Sequence, residues 1–222
     1  MVTIKEPTAT GMATRTSVIL VLFVAAFTAA LAVVYTMTKP AIDASAAEEK
    51  MRTINEVLPN DLYDNELLAD TLTLPATPEL GQEDESTIYR ARLKGEPSTL
   101  VLEAVAPDGY AGKIRMLLAI RANGEVAGVR VTLHKETPGL GDYIEPKKDK
   151  NKTRPWITQF NGLSIEKMPT ANEWKVKKDG GHFDSIAGAT VTPRAVTKAV
   201  YKAVKFATEN RERLFAPKSA KE

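Results

Sequence analysis

The chain has 222 residues, 43% of them apolar and 26% charged, which suffices for one folded domain and an appendage. Its 30 Lys and Arg against 28 Asp and Glu leave a net charge of +2, no electrostatic footprint for nucleic acid. With no cysteine and only two histidines, disulfides, thiol catalysis and thiolate-held iron–sulfur clusters are excluded within this chain, and a dedicated zinc site is not expected.

From Thr16 to Thr38 no residue is charged, and the apolar run fits a hydrocarbon core that takes about 20 helical residues to cross. The rival is a cleaved signal peptide, since Ala29-Ala30-Leu31-Ala32 has small residues at suitable spacing. The run is longer than a signal h-region of roughly 7–15 residues, so an uncleaved anchor is the reading adopted. Lys5 and Arg15 precede the span; Lys39, then Asp43, Glu48 and Glu49, follow it. That bias puts residues 1–15 in the cytoplasm and the larger part outside, in the periplasm of a Gram-negative cell.

Residues 39–85 read as a stalk helix, Ala41 to Leu58, and a Pro-containing linker with a short strand at Thr71–Leu74. Residues 86–222 read as the folded domain. Strands are predicted over Thr87–Leu93, Thr99–Ala106, Ile114–Ile120 and Val126–Leu133, with Asn123-Gly124 supplying a hairpin turn of positive φ. A helix is predicted from Pro193 to Phe215, its apolar face formed by Val196, Ala199, Val200, Ala203, Val204 and Ala207. The basic residues at this end, Lys202, Lys205, Arg211, Arg213, Lys218 and Lys221, are interrupted by Glu209 and Glu212 and read as a solvated face. The fold class is α+β: an N-terminal transmembrane helix, then an antiparallel sheet covered by a C-terminal helix.

Two loops carry chemistry. In Asp184-Ser185-Ile186-Ala187-Gly188-Ala189-Thr190, small residues run into a helix start, where free N–H groups and the positive dipole end favour an anion. With Pro193 at the first helical position, Arg194 and Ala195 would offer their amides. Equally consistent is a tight strand-to-helix turn with Thr192 as N-cap. The second loop, His134-Lys135-Glu136-Thr137-Pro138-Gly139-Leu140-Gly141, could lie against a flat aromatic ring or be a solvated turn.

The run Asp-x-x-x-Gly-Ala-Thr resembles the flavinylation motif of the FMN-binding domain family, in which a transferase moves FMN from FAD onto the threonine hydroxyl. Glu-Thr-Pro-Gly-Leu-Gly resembles that family's second hallmark, in the family's order. Ala187 departs from the family's usual Ser or Thr before the glycine, a change that bears on transferase recognition and leaves the acceptor in place. The block Ala106–Ile114, then His134-Lys135-Glu136 and Trp156–Phe160, narrows the resemblance to the G subunits of Rnf electron-transport complexes.

The resemblance implies FMN held covalently through a phosphoester to Thr190, with Thr192 as the nearby competitor. Gly188 and Ala189 would give room and Asp184 is the motif's leading acid. Glu136, Thr137, Gly139 and Leu140 would approach the isoalloxazine or ribityl chain; Tyr110 and Trp156 are further candidates for stacking, with core packing as their alternative. It also implies an electron carrier that is not catalytic alone, membrane and iron–sulfur subunits as partners, a flavin transferase for maturation, and electron transfer between ferredoxin and NAD coupled to ion movement. The alternatives are the C subunit of the sodium-translocating NADH:quinone reductase and a non-redox anchored module. The lysine-rich insert Lys147–Lys152 has no counterpart in the resemblance and reads as a solvated loop, with contact to another subunit or to anionic lipid headgroups as the alternatives.

Overall fold

The computed structural model describes residues 9–216; Lys5 of the expected cytoplasmic segment, and Lys218 and Lys221 of the basic end, lie outside them. The described residues divide into two compact units between Lys50 and Met51.

The helix α1, Ala9–Asn55, is apolar and unburied through its candidate span, and its residues from Met51 on belong to the second unit. At 1.5 Å per residue its 47 residues reach about 70 Å, more than twice a hydrocarbon core of about 30 Å. Lys39-Pro40 lies inside it without interrupting it. Pro40 withholds one backbone donor, but the hydroxyls of Thr36 and Thr38 are satisfied by the helix's own carbonyls, on Val33 and Val34.

In the second unit five strands form an antiparallel meander in sequence order: β1 (Thr71–Leu74), β2 (Ser86–Leu93), β3 (Glu96–Ala106), β4 (Ile114–Arg121) and β5 (Val126–Leu133). Strand β3 begins three residues before the predicted Thr99. A two-residue turn, Lys94-Gly95, with φ of 54° and 83°, joins it directly to β2. At the β4–β5 connection only Gly124 has positive φ. Asn123 instead uses its side-chain oxygen to accept the Glu125 N–H.

Both faces of the sheet are buried. On one, Leu100, Leu102, Met116, Leu118 and Val129 pack against the alanine-rich face of helix α2 (Val191–Glu209), where Ala195, Ala199 and Ala203 let the backbone come close. On the other, Val101, Leu117 and Ala119 meet Ile54, Val57, Leu58 and Leu67. Ile54, Val57 and Leu58, within the stretch read as a stalk helix, are therefore part of the domain core. At about 1.5–3 kcal/mol for each fully buried aliphatic side chain, that second layer is a substantial share of the domain's stability. Two-sided burial also explains why β3 and β4 read as continuous apolar runs.

Gly128 on β5 is where this layer comes closest. A Cβ there would lie 2.5 Å from the Val57 carbonyl oxygen. Gly128→Ala is expected to destabilise the domain by about 1–3 kcal/mol through overpacking against backbone that cannot rotate away. Thermal unfolding followed by the fluorescence of buried Trp156 and Trp174 would measure it.

The predicted C-terminal helix is two helices. Helix α2 ends at Asn210, whose side-chain and backbone N–H groups both donate to Phe206 O, and α3 (Arg211–Phe215) follows.

Candidate functional site

Helix α2 starts at Val191, two residues before the predicted Pro193, and this changes the chemistry at its end. Thr190 is the N-cap, with φ −94° and ψ −16° and no side-chain capping bond. Thr192 lies inside the first turn, 2% exposed, its hydroxyl donating to Glu136 Oε2. The expected Thr192 cap is thus overturned. Pro193 occupies the third helical position, where its missing N–H costs nothing because the first four amides of a helix have no internal acceptor. The Arg194 amide, expected to face a ligand, bonds to Thr190 O at 3.3 Å, and Ala195 lies within the regular helix. The amides of Val191 and Thr192 are the ones left at the helix end.

Before the helix, Ala189 N–H donates to Ile186 O at 3.0 Å, closing a turn with Gly188 at φ 83°. Such a φ after a residue of ordinary φ is the third position of a type II turn, which selects glycine. Nothing lies within 4 Å of where a Gly188 Cβ would sit, so the backbone is open on that side. The turn is held from beneath. Tyr143 OH lies 3.5 Å from Ala189 O, and burial, the main cause, pushes the phenol pKa up to about 12, keeping it a neutral donor. Trp156 Nε1 donates to Asp184 O at 2.7 Å.

Trp156 is 6% exposed and edge-packed on Tyr143 and Phe160, so its expected stacking role gives way to the core-packing alternative. Asp184 is exposed, and its carboxylate accepts from Lys177 at 2.6 Å.

The other loop leaves β5 at Leu133. His134 Nδ1 accepts the Glu136 N–H at 3.0 Å, which puts the proton on Nε2, 2.7 Å from Glu145 Oε1. This turns Glu136 inward to 4% exposure, where Oε1 accepts the Ala111 N–H and Oε2 the Thr192 hydroxyl. Glu136 is therefore a brace that ties three segments together. Gly141 belongs to that brace, since a Cβ on it would stand 2.8 Å from Thr192 Oγ1 and 2.9 Å from Glu136 Oε2. Gly139, at φ 76°, donates its N–H to Asp142 Oδ1 and leaves Leu140 48% exposed.

Between the two loops lies an open pocket of about 240 Å³, lined by Tyr110, Glu136, Thr137, Leu140, Gly188 and Thr190 among others. Ala189 lines it as well; Gly139, Asp184 and Trp156 do not. Gly141, Val191 and Thr192 line it without having been singled out as contacts. A helix start set at Val191, with the small side of Gly-Leu-Gly turned inward, would have pointed to them.

The residues fit an FMN phosphate end. Thr190 is half-buried and its hydroxyl has no hydrogen-bond partner among the described residues. No Lys or Arg lines the pocket, so an anion there would be met by the Val191 and Thr192 amides and the helix dipole. Ligands enclosed by protein occupy sites of roughly 300–1,000 Å³. A flavin in this smaller, open pocket would be poorly retained without a covalent bond.

Thr192→Val is expected to cost about 1.5–3 kcal/mol, as a buried carboxylate loses a hydroxyl donor, while leaving the Thr190 hydroxyl in place. Urea unfolding of the detergent-solubilised chain would measure the loss.

Comparison with known proteins places this geometry. Residues 109–205 match the FMN-binding domain family, and residues 11–57 match the RnfG N-terminal region. The chain is 44% identical over 206 residues to the G subunit of the ion-translocating oxidoreductase complex of Pseudomonas aeruginosa, covering 93% of this chain and 94% of that one. It is 40% identical over 202 residues to the corresponding G subunit of Vibrio atlanticus, covering 91% and 93%. That of Shewanella oneidensis is likewise 40% identical over 202 residues, covering 91% and 92%.

Proposed function

The chain belongs to the family of G subunits of ion-translocating oxidoreductase complexes, and from that premise we propose that it carries electrons through an FMN esterified to Thr190. The observation that carries the proposal is the unpartnered Thr190 hydroxyl at the pocket where both motif loops meet. Attachment uses FAD and a flavin transferase: the Thr190 oxygen bonds to the FMN phosphorus, the pyrophosphate bond breaks, and AMP leaves with the hydroxyl proton passing to solvent. Bound FMN supplies the redox chemistry itself. Gly188 leaves the approach open, the Val191 and Thr192 amides balance the phosphodiester charge, and Glu136 holds the two loops together. No side chain is required as a general acid or base.

The complex served is one that couples electron transfer between ferredoxin and NAD to ion translocation. Its other membrane and iron–sulfur subunits are the partners. Residues 16–38 anchor the chain, with residues 1–15 cytoplasmic and the sheet-bearing unit that begins at Met51 periplasmic. Intact mass of chains isolated from the native host tests the attachment: the expected value is the polypeptide plus one FMN less one water, and an unmodified mass overturns it.

Since the chain has no cysteine, Glu85→Cys creates a single exposed thiol that reports orientation. A membrane-impermeant maleimide applied to intact cells is expected to label it fully without lysis. Labelling only after lysis would place the domain in the cytoplasm.

A further inference from the structure

The exposed loop 147–154 carries five cations, Lys147, Lys148, Lys150, Lys152 and Arg154, and one acid, Asp149. Its charge of +4 exceeds the +2 of the whole chain, so the rest sums to −2. Asp149 does not offset these cations locally. It is 7% exposed and turned inward, its two oxygens accepting the backbone N–H groups of Asn151 and Trp156. Asn151 Oδ1 in turn accepts from Thr153 Oγ1 and Arg154 N, and Lys152 Nζ reaches Lys147 O at 2.7 Å. The loop is folded so that its exposed charges are all cations, with the neutral Asn151 and Thr153 between them.

Elsewhere on the domain several exposed cations are held by a close carboxylate: Lys113 by Glu83, Lys167 by Glu125, Lys177 by Asp184, Arg194 by Asp179 and Lys198 by Asp108, each within 2.6–2.7 Å. The guanidinium beside Asp179 and the ammonium beside Asp108 hold both carboxyls below their ordinary values. No carboxylate among the described residues pairs with any of the five loop cations. The loop also has a place relative to the site. Its flanks are Tyr143, whose hydroxyl reaches Ala189 O, and Trp156, whose ring N–H reaches Asp184 O, so both ends are anchored to the segment bearing Thr190.

We propose that this cationic loop is the surface against which an acidic face of another subunit of the complex docks, beside the segment that carries Thr190. The chemistry favours a protein over a lipid surface. Residues 147–154 contain no aromatic or aliphatic side chain to enter a bilayer, and they lie far along the chain from the apolar span, unlike juxtamembrane polybasic segments. Unpaired charge at fixed positions is what an electrostatically complementary interface uses to set register and partner. The inference needs only membership of a complex and stands whether or not Thr190 carries flavin.

The test is zero-length carbodiimide cross-linking of the complex extracted in mild detergent, with amide products mapped by mass spectrometry. Amides from Lys147, Lys148, Lys150 or Lys152 to Asp or Glu of a second subunit are expected. The intrachain pairs Lys198–Asp108 and Lys113–Glu83, both 2.7 Å apart, must cross-link in the same sample. Control amides without an intersubunit product from the loop overturn the proposal. So do amides joining two copies of this chain, or loop lysines protected only by anionic vesicles of phosphatidylglycerol.

A K147E/K148E/K150E variant keeps the Lys152–Lys147 backbone contact and should melt as the parent does. Its recovery in the complex is expected to fall on the order of tenfold; unchanged recovery overturns the proposal.

Discussion

Thr190→Ala is expected to abolish covalent flavin, reducing the fluorescent band of the denatured chain under ultraviolet light to background when a functional transferase is co-expressed. The substitution removes an oxygen that makes no hydrogen bond. An N-cap Thr→Ala change usually costs about 1 kcal/mol through a lost capping bond. Thr190 makes no such bond, so the variant should fold and melt close to the parent. Loss of flavin with retained stability separates a missing acceptor from a collapsed site. Thr190→Ser, which keeps the hydroxyl, should restore the band. Thr192→Val should keep it despite lower stability, because the Thr192 hydroxyl is spent on Glu136. A band that survived in Thr190→Ala and vanished in Thr192→Val would move the acceptor by two residues.

The competition between these threonines shows where sequence reading stops. The pairing of the two motif loops was legible only through the family resemblance, since each loop taken alone reads equally as a turn at an element end. The helix start was not. Pro193 suggests the first helical position, yet proline is tolerated anywhere in the first turn, where amides lack internal acceptors. Only the observed start at Val191 frees the Thr190 hydroxyl and commits that of Thr192.

The buried second layer does have a signal in the sequence. The runs Leu100-Val101-Leu102 and Leu117-Leu118-Ala119 do not alternate, which requires cover on both faces of the sheet. Met51, Ile54, Val57 and Leu58 are visible at helical spacing without a partner to assign. Lys94-Gly95 escapes detection as a hairpin because the first position lacks the Asn or Asp that usually announces positive φ. For Trp156, no local pattern distinguishes a ring facing flavin from one edge-packed on Tyr143.

Long-range ion pairing is the least legible of all, and it carries the largest expected stability effect. Arg90, 2% exposed, pairs with Asp70 at 2.6 Å and also donates to the carbonyls of Ala216 and Thr71. Arg92 shares Asp70 at 2.8 Å and donates to Phe215 O at 3.0 Å. Two arginines of β2 thus bind the terminal carbonyls of α3, which lacks internal donors for them, and Asp70 sets both guanidinium groups in place.

Asp70→Ala leaves the buried Arg90 charge with carbonyl dipoles alone. Breaking a buried pair from one side costs about 3–5 kcal/mol. Asp70 is 23% exposed, which admits some water and places the expectation near the lower end. The control is the double change Asp70→Ala, Arg90→Met, which removes the stranded charge and fills much of its volume. It should be more stable than Asp70→Ala alone, since replacing both partners of a buried pair is often close to neutral. Urea unfolding of the three chains in detergent would decide. A double variant no more stable than the single one would mean that Asp70 acts through loop 64–70 geometry and not through the Arg90 charge. In that event α3 would owe its position to the burial of Leu214 and Phe215.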